Sequence, residues 1–253
     1  MTSARVAVWG ALTGALLIVM GCGVRPQPSP AVAGKHVDPG TAGSINGRIT
    51  FRGKAPKAEV IRMSADPACE QVSTGRATTE TALVGADGAL ANVFVHIEDA
   101  FTGYEFDVPK EAVVLDQRGC RYVPHVLGVR VGQPLEFLNS DETFHNAHAS
   151  PAHNTEFDRG EPTAGMRLRH TFTKPEVMVP IKCNVHNWMK SYVGVMAHPY
   201  FAVTAADGAF AMNGLPPGTY RIDAWHELFG EQSQSVTITE KQTVSAAFTF
   251  QSK

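Results

Sequence analysis

The feature of this chain that most constrains its fold is a series of short segments in which apolar and polar residues alternate. The segments recur from residue 44 to residue 250, for example as SINGRITFRG (44–53), ANVFVHIED (91–99) and GTYRIDAW (218–225). They are rich in Val, Ile, Phe, Thr and Tyr, and they are separated by Gly, Pro and Asp-Gly pairs. Such segments form strands that bury one face, so the chain is predicted to be all-β, with a β-sandwich architecture. A single helical turn is expected at VPKEAVV (108–114).

Length, charge and residue pattern limit the functions open to the chain. It has 253 residues, which suggests one or two domains, and its 22 Lys and Arg are balanced by 24 Asp and Glu. This balance argues against a basic surface for nucleic acid, so no nucleic-acid partner is expected. No Ser-His-Asp order and no pair of carboxylates stands out in the sequence, so we expect a protein that is not an enzyme.

The amino-terminal segment predicts export and attachment to a membrane. A basic residue precedes the apolar run 6–20, which has the length of a signal-peptide core. The run ends in VMGC, which resembles the lipobox of bacterial lipoproteins, where the cysteine carries the lipid. Residues 1–22 are therefore expected to be a lipoprotein signal peptide with Cys22 as the lipidated residue; an uncleaved anchor is the alternative. Because Gly23 follows, the resemblance implies a periplasmic or cell-surface lipoprotein anchored in the outer membrane.

The sequence IKCNVHNWMKSYVG contains a candidate metal-binding loop. It places Cys183, His186 and Met189 three residues apart, and thiolate, imidazole and thioether are soft ligands that select copper. A trigonal copper site with two His and one Cys needs a further histidine from a distant strand end. The segment VGQPLEFLNSDETFHNAH offers His145, which follows a half-buried strand and a polar loop.

These two segments together resemble the cupredoxins, the type 1 blue copper proteins such as plastocyanin and amicyanin. In that family, a strand leads into a loop ending in His-Asn, and a C-x-x-H-x-aromatic-M loop follows downstream, as in this sequence. The resemblance implies that His145, Cys183, His186 and Met189 hold one copper ion, with His186 near the surface as the electron exit. It also implies that Asn146 donates its backbone N–H to the thiolate while its side chain ties the two ligand loops together.

The function implied by this resemblance is one-electron transfer through a mononuclear copper site. Four ligands leave no open position for a substrate, whereas a catalytic metal site keeps one. The implied partners are redox proteins such as a c-type cytochrome, an oxidase or a dehydrogenase. Copper delivery is the alternative function. His148 and His153 either form a second or altered site or are solvated loop residues.

Two further cysteines remain once Cys22 and Cys183 are assigned. In an oxidising compartment, Cys69 and Cys120 are candidates for a disulfide; otherwise they are two free structural cysteines.

The carboxyl-terminal part predicts a second module. Its sequence FAMNGLPPGTYRI, preceded by an Asp-Gly turn, resembles the carboxypeptidase regulatory-like domain, a small transthyretin-like sandwich. The opening strand of that family matches GSINGRITFRGKAP, which lies about 150 residues earlier in this chain.

The chain is accordingly predicted to consist of five segments. After the signal peptide these are a flexible linker (23–43), amino-terminal strands of the regulatory-like sandwich (44–110), a cupredoxin domain (111–203) and the remaining strands of the first sandwich (204–253). Two consecutive domains are the alternative. Because some relatives of this sandwich bind carbohydrate, a surface lipoprotein that binds carbohydrate or a protein partner is the second function hypothesis.

Overall fold

The computed structural model describes residues 1–2, 34–73 and 77–252. The predicted signal peptide from residue 3 onward, its Cys22 and the first part of the predicted linker lie outside the described residues. Within the described part of the chain, no helix is long and apolar enough to cross a membrane.

The described residues form sixteen strands and one short helix. In chain order the elements are β1 (Gly43–Arg52), α1 (Pro67–Val72), β2 (Phe94–Ile97), β3 (Val113–Gln117), β4 (Tyr122–Val123), β5 (Val126–Arg130), β6 (Pro134–Asn139), β7 (His145–Ala149), β8 (Phe157–Glu161), β9 (Arg167–Thr171), β10 (Glu176–Lys182), β11 (Lys190–Met196), β12 (Phe201–Val203), β13 (Ala209–Leu215), β14 (Gly218–His226), β15 (Gly230–Ile238) and β16 (Thr243–Gln251).

The strands pair into four sheets, which confirms the all-β prediction. Two sheets, β13-β1-β16 and β12-β2-β14-β15, use strands from both ends of the described chain, and we call this pair the flanking sandwich. The other two, β4-β3-β6-β9 and β5-β11-β10-β7-β8, use only strands between residues 113 and 196, and we call this pair the central sandwich. β12, which falls inside the predicted 111–203 segment, pairs with β2 and so belongs to the flanking sandwich.

The flanking sandwich is held together by residues distant in sequence. β1 pairs in antiparallel fashion with β13 and in parallel with β16. The alternation of the sequence appears directly in the burial of these strands, because every second side chain enters one apolar core. Fully buried members of that core include Ile45, Ile49, Val95, Ile97 and Ile222.

The central sandwich has its own apolar core. β6 lies parallel to β3 and antiparallel to β9, while in the facing sheet β11 lies parallel to β5 and antiparallel to β10. Their inward side chains include Leu115, Leu135, Phe137, Val179, Ile181 and Val193, all at most 1% exposed. β6 and β10 end at the same edge of the central sandwich, so the loops that follow these two strands come together there.

Two phenylalanines of the flanking sandwich pack against two glycines of the central one. Gly194 and Gly128 are opposite each other on β11 and β5. A Cβ on Gly194 would lie 2.2 Å from the Phe94 ring, and a Cβ on Gly128 would lie 2.3 Å from the Phe201 ring. The glycines therefore allow the aromatic rings to lie directly on the backbone of the central sheet.

The helix prediction was wrong in its position. Residues 108–112 form no helix, and β3 begins at Val113. The helix lies instead at Pro67–Val72, where the Asp66 side chain accepts from the backbone N–H of Ala68 and Cys69 and a proline occupies the first turn. Asp-Pro is a helix-start signal, since the aspartate caps free N–H groups and proline has none to lose there. Asp66, the cap of this helix, also contacts a residue of the candidate metal centre.

Candidate metal centre

The predicted ligand residues lie at one end of the central sandwich. His145 is the first residue of β7, and Cys183 directly follows β10. The alternation of the sequence predicts one shared face for Val177, Val179, Ile181 and Cys183. The last three are buried on one face, which brings the thiol to the inner end of the strand. Val177 does not share that face: the register of β10 shifts between Glu176 and Val179, and Val177 is 39% exposed.

The loop from Cys183 to Met189 is closed by its own backbone. The Met189 N–H donates to the carbonyl oxygen of His186 at 2.8 Å, and the Cys183 N–H donates to that of Met189 at 3.2 Å. The side chains of Cys183 and Met189, at the two ends of this loop, are buried, with exposed fractions of 2% and 1%. The loop therefore returns directly into β11 and keeps its sulfur atoms inside the protein.

Three of the four predicted ligands have their ligand atoms in one cluster. The nitrogens of His145 and His186 and the sulfur of Cys183 all lie within 4.8 Å of one another. The two Nδ1 atoms are 3.0 Å apart, and the Cys183 Sγ is 3.8 Å from the Nδ1 of His186. The inner nitrogens of both rings thus face each other and the thiol.

The outer nitrogens of both rings contact carboxylates. The Nε2 of His145 is 3.0 Å from Asp141 Oδ2, and the Nε2 of His186 is 2.9 Å from Asp66 Oδ2. This makes a chain of four side chains: Asp141, His145, His186 and Asp66. Every contact in the chain is satisfied when His145 carries both ring protons and His186 carries its proton on Nε2.

The carboxylates and the thiol change the proton affinity of this cluster. Burial disfavours a positive charge on His145, but its contacts with Asp141 and Cys183 outweigh that cost and raise the pKa of His145 to about 9. Burial also raises the pKa of the Cys183 thiol. Hydrogen bonds from His145 and from backbone N–H groups, including that of Asn146, outweigh the burial and hold the pKa of Cys183 below its ordinary value.

Asn146 connects the two ligand-bearing loops. Its Oδ1 accepts from the backbone N–H of Asn184 at 2.7 Å and contacts the Cys183 Sγ at 3.3 Å. Its Nδ2 donates to Asp158 at 2.5 Å. The side chain therefore ties the start of β7 to the loop after β10.

His186, the residue expected near the surface as the electron exit, is itself buried beneath neighbouring side chains. Its ring is 2% exposed. Asp66 and the sulfur of Cys69 contact its Nε2, the latter at 3.5 Å, and the Trp188 ring lies 5.1 Å from it, centroid to centroid. The covering segment comes from the chain between β1 and β2, a part of the sequence in which we expected no contribution to the site.

Cys69 and Cys120 are joined by a disulfide bond with a Cα–Cα distance of 5.5 Å. Cys120 lies in the tight turn between β3 and β4, where both Gly119 and Cys120 have positive φ, as a two-residue type I′ hairpin turn requires. The backbone N–H groups of these two residues both donate to Asp141 at 2.8 Å. The disulfide therefore links the helix that carries Asp66 to the turn that holds Asp141.

His148 and His153 do not join the cluster. The ring nitrogens of His148 contact Asn184 at 2.9 Å and Glu156 at 2.7 Å, and His153 is exposed. His148 thus faces the outside of the β7–β8 pair, one residue out of phase with the ligand side.

The two carboxylates are the site residues that sequence reasoning missed. For Asp141 a signal exists, since it lies four residues before His145 in the loop that the ligand motif defines. For Asp66, the Asp-Pro pair indicates the start of a helix, but nothing in the sequence indicates that this helix lies next to His186.

The donor set fits a copper ion. Two imidazole nitrogens and one thiol sulfur converge in a buried pocket of side chains, and this soft combination favours copper among the common metals. Both rings are oriented by carboxylates on their outer nitrogens, an arrangement typical of histidines that bind metals. His145, Cys183 and His186 are the residues that would hold the ion, and Met189 follows in the same loop.

Comparison with known proteins bears separately on the two sandwiches. Residues 193–251 match the model of the carboxypeptidase regulatory-like domain family. The match begins within β11 and continues to the end of β16, so it covers all five carboxyl-terminal strands of the flanking sandwich, β12 to β16. No curated protein matches the chain in sequence.

Solved structures that resemble the chain include copper proteins. A copper-containing nitrite reductase from Thermus scotoductus SA-01 is 24% identical, covers 40% of this chain with 25% of its own, and has a TM-score of 0.31. This chain thus spans about a quarter of that reductase. Two Cu(I) structures of amicyanin variants are 24% and 25% identical, cover 36% of this chain with 87% of their own, and have TM-scores of 0.31. At these TM-scores the structural likeness gives no evidence about function. The case for a metal centre depends on the side chains of this chain alone.

Proposed function

We propose that this protein is a copper-binding electron carrier with one type 1 site. The observation that supports this most directly is the convergence of His145, Cys183 and His186, whose ligand atoms lie within 4.8 Å of one another. Met189 is the proposed weak axial ligand, since it is buried and its backbone closes the same loop. A copper ion would supply one-electron redox chemistry there.

The surrounding residues support a carrier rather than a catalyst. The three converging ligand residues are each at most 2% exposed, so bulk water and substrates have little access to them. The two histidines are held by Asp141 and Asp66, and the thiol by Asn146 and backbone N–H groups. Side chains fixed in this way need little rearrangement when the charge of a bound ion changes, and small rearrangement favours rapid electron transfer.

The proposal is tested by reconstituting the purified full-length chain with Cu(II). We expect one bound ion per chain and a strong thiolate-to-copper absorption band, which gives the protein a blue or green colour. Cys183→Ser should remove the band, because a hydroxyl is neither soft nor readily ionised. His148→Ala is the matched control, since His148 is a neighbouring histidine outside the cluster. A wild-type protein without the band, or a band that survives in Cys183→Ser, would overturn the proposal.

The axial assignment has a separate test. Met189→Gln should keep the copper and the absorption band but shift the reduction potential, because a long axial bond tunes the site rather than holding the ion. Loss of the ion in this variant would assign Met189 a stronger role than the one proposed.

The cellular setting remains part of the proposal. We propose that the chain is exported, lipidated at Cys22 and anchored to the outer membrane, and that it exchanges electrons with a c-type cytochrome, an oxidase or a dehydrogenase. Incorporation of labelled fatty acid tests the anchor: Cys22→Ser should abolish the label, and an unlabelled wild-type protein would refute lipidation. Electron-transfer rates between the copper-loaded protein and a cytochrome c test the choice of partner.

The carbohydrate-binding alternative has no comparable support. A carbohydrate-binding surface would need a row of exposed aromatic residues, but the four aromatics that could form one in this part of the chain are buried or half-buried; they are Phe201, Tyr220, Trp225 and Phe229. Phe229 stacks on Phe51 at 4.7 Å, and Phe201 stacks on Phe94 at 5.7 Å. These rings pack inside the protein and form no exposed row.

A further inference from the structure

A segment from outside the central sandwich reaches into the metal centre. Asp66 lies between β1 and β2, about 120 residues before the ligand loop, and its Oδ2 is 2.9 Å from the Nε2 of His186. The opposite nitrogen of that ring, Nδ1, faces His145 and Cys183. One edge of His186 therefore faces the proposed metal ligands, and the other edge faces a carboxylate supplied by the flanking part of the chain.

Besides its contact with His186, the Asp66 side chain accepts three hydrogen bonds, and a disulfide holds the adjoining helix in place. Its Oδ1 accepts from the N–H of Ala68 at 2.8 Å and of Cys69 at 3.4 Å, as the cap of α1. The Thr143 hydroxyl donates to its Oδ2 at 2.9 Å. The disulfide from Cys69 to Cys120 then fastens this helix to the central sandwich. Because the Asp66 carboxylate is held in place by these contacts, it fixes the orientation of the His186 ring that it contacts.

The contact decides which ring nitrogen of His186 is free for a metal. An ionised carboxylate accepts hydrogen bonds and donates none, so the Nε2 of His186 carries the proton and its Nδ1 keeps a lone pair. That lone pair points into the cluster with the Cys183 sulfur. A carboxylate that accepts a hydrogen bond from the outer N–H also makes the inner nitrogen a stronger electron donor, which favours Cu(II) over Cu(I).

We propose that Asp66 is a positioning residue for His186: it fixes the ring and its tautomer, presents Nδ1 to the metal, and lowers the reduction potential of the site. The inference rests on the proposed copper function. It assigns a role in the site to the segment between β1 and β2. The site is then built from residues of the central sandwich and from a residue of this flanking segment.

The test uses two substitutions that separate charge from geometry. Asp66→Asn keeps an acceptor oxygen and a good helix cap but removes the charge. It should therefore retain the Nε2 proton of His186 while the reduction potential rises; each tenfold weakening of Cu(II) relative to Cu(I) binding corresponds to about 59 mV. Asp66→Ala removes the acceptor as well and should weaken Cu(II) binding by about 10- to 100-fold. Glu70→Gln is the matched control, because Glu70 is an exposed carboxylate of the same helix.

Nitrogen-15 NMR of the metal-free chain gives a readout that does not depend on copper. In the wild type and in Asp66→Asn, His186 should carry its proton on Nε2; in Asp66→Ala, where the carboxylate is gone and the His145 contact remains, the Nε2 tautomer should be less populated. Identical potentials, affinities and tautomers in the wild type, both Asp66 variants and Glu70→Gln would overturn the inference even if the copper band is present. If the wild type lacks the band, the proposed function fails, while a tautomer change in Asp66→Ala still supports the positioning role.

Discussion

The two sandwiches bury histidines to the same extent and yet give them opposite properties. His145 in the central sandwich is 0% exposed, and His226 in the flanking sandwich is 1% exposed. The pKa of His145 is raised to about 9, whereas burial lowers the pKa of His226 to about 4. The difference lies in their partners: Asp141 and Cys183 stabilise a charged ring, while the Nδ1 of His226 accepts backbone N–H groups of the following turn.

This difference shows that burial alone does not define a functional site. The flanking sandwich uses its histidine as an uncharged part of the core, stacked on Phe229 at 4.6 Å. The central sandwich gathers histidines, carboxylates and a thiol at one strand end, at the expense of apolar contact there. The same kind of architecture thus provides a structural module and a chemical one, because function depends on the side chains at the site rather than on the fold.

The largest effect is expected from removing the Cys69–Cys120 disulfide, which holds α1 and Asp66 against His186 in the central sandwich. It closes a loop of 51 residues, and on the chain-entropy account such a bond stabilises by roughly 4 kcal/mol. The double variant Cys69→Ser, Cys120→Ser should lose up to that amount in the free energy of unfolding of the metal-free protein, measured in guanidinium.

The same variant tests whether the disulfide orders the site. The backbone amides of α1 should exchange faster with deuterium, since the helix loses its covalent link to the central sandwich. Amides of β14 and β15 in the flanking sandwich serve as the internal control and should keep their protection. Unchanged stability together with unchanged exchange in α1 would contradict the proposed clamp.

Where the sequence predicted well, a local pattern coincided with a physical requirement. Alternation along β16 and β10 predicted strands because one face of each must leave water. The sequence also indicated the residues of the cluster, since thiolate, imidazole and thioether side chains at short spacing have a chemistry of their own; their role as copper ligands stays a prediction. The Cys69–Cys120 bond was one of two outcomes that cysteine counting left open, and distances were needed to choose between them.

What the sequence did not predict depends on contacts between distant segments. The cover over His186 requires Asp66 to meet a loop 120 residues away, and no periodicity encodes that approach. The exposure of Val177 follows from a register shift at Met178, whose φ of 60° is unusual for a residue other than glycine. The helix was misplaced because its six residues depend on one cap and one proline rather than on a repeating pattern.

A smaller effect is expected at the contact between the two sandwiches. Gly194→Ala would place a Cβ within 2.7 Å of three atoms of the fully buried Phe94 ring, and such overpacking destabilises by about 3 kcal/mol at the upper end of its usual range. The variant should lower the free energy of unfolding by this amount without changing the copper spectrum.

The matched control for this contact is Gly160→Ala in β8. There the new Cβ would also meet a phenylalanine, 3.0 Å from Phe144, but that ring is 43% exposed and can turn aside. We expect a loss well below that of Gly194→Ala. Equal losses in the two variants would mean that the interface between the sandwiches is no more tightly packed than the surface.

The smallest effect concerns the pH dependence of the flanking sandwich. The pKa of His226 is about 4 in the folded protein, against an ordinary value of 6.5, because burial disfavours the charged ring. The unfolded chain therefore binds more protons between these values, and stability is lost as the pH falls from 6.5 towards 4. For this one residue the loss between about pH 7.5 and about pH 5 is about 2 kcal/mol. His226→Gln should reduce the pH dependence of the unfolding free energy by that amount. If His226→Gln and the wild type lose stability in parallel as the pH falls, His226 is not the buried neutral group that distinguishes the flanking sandwich from the charged histidine of the central one.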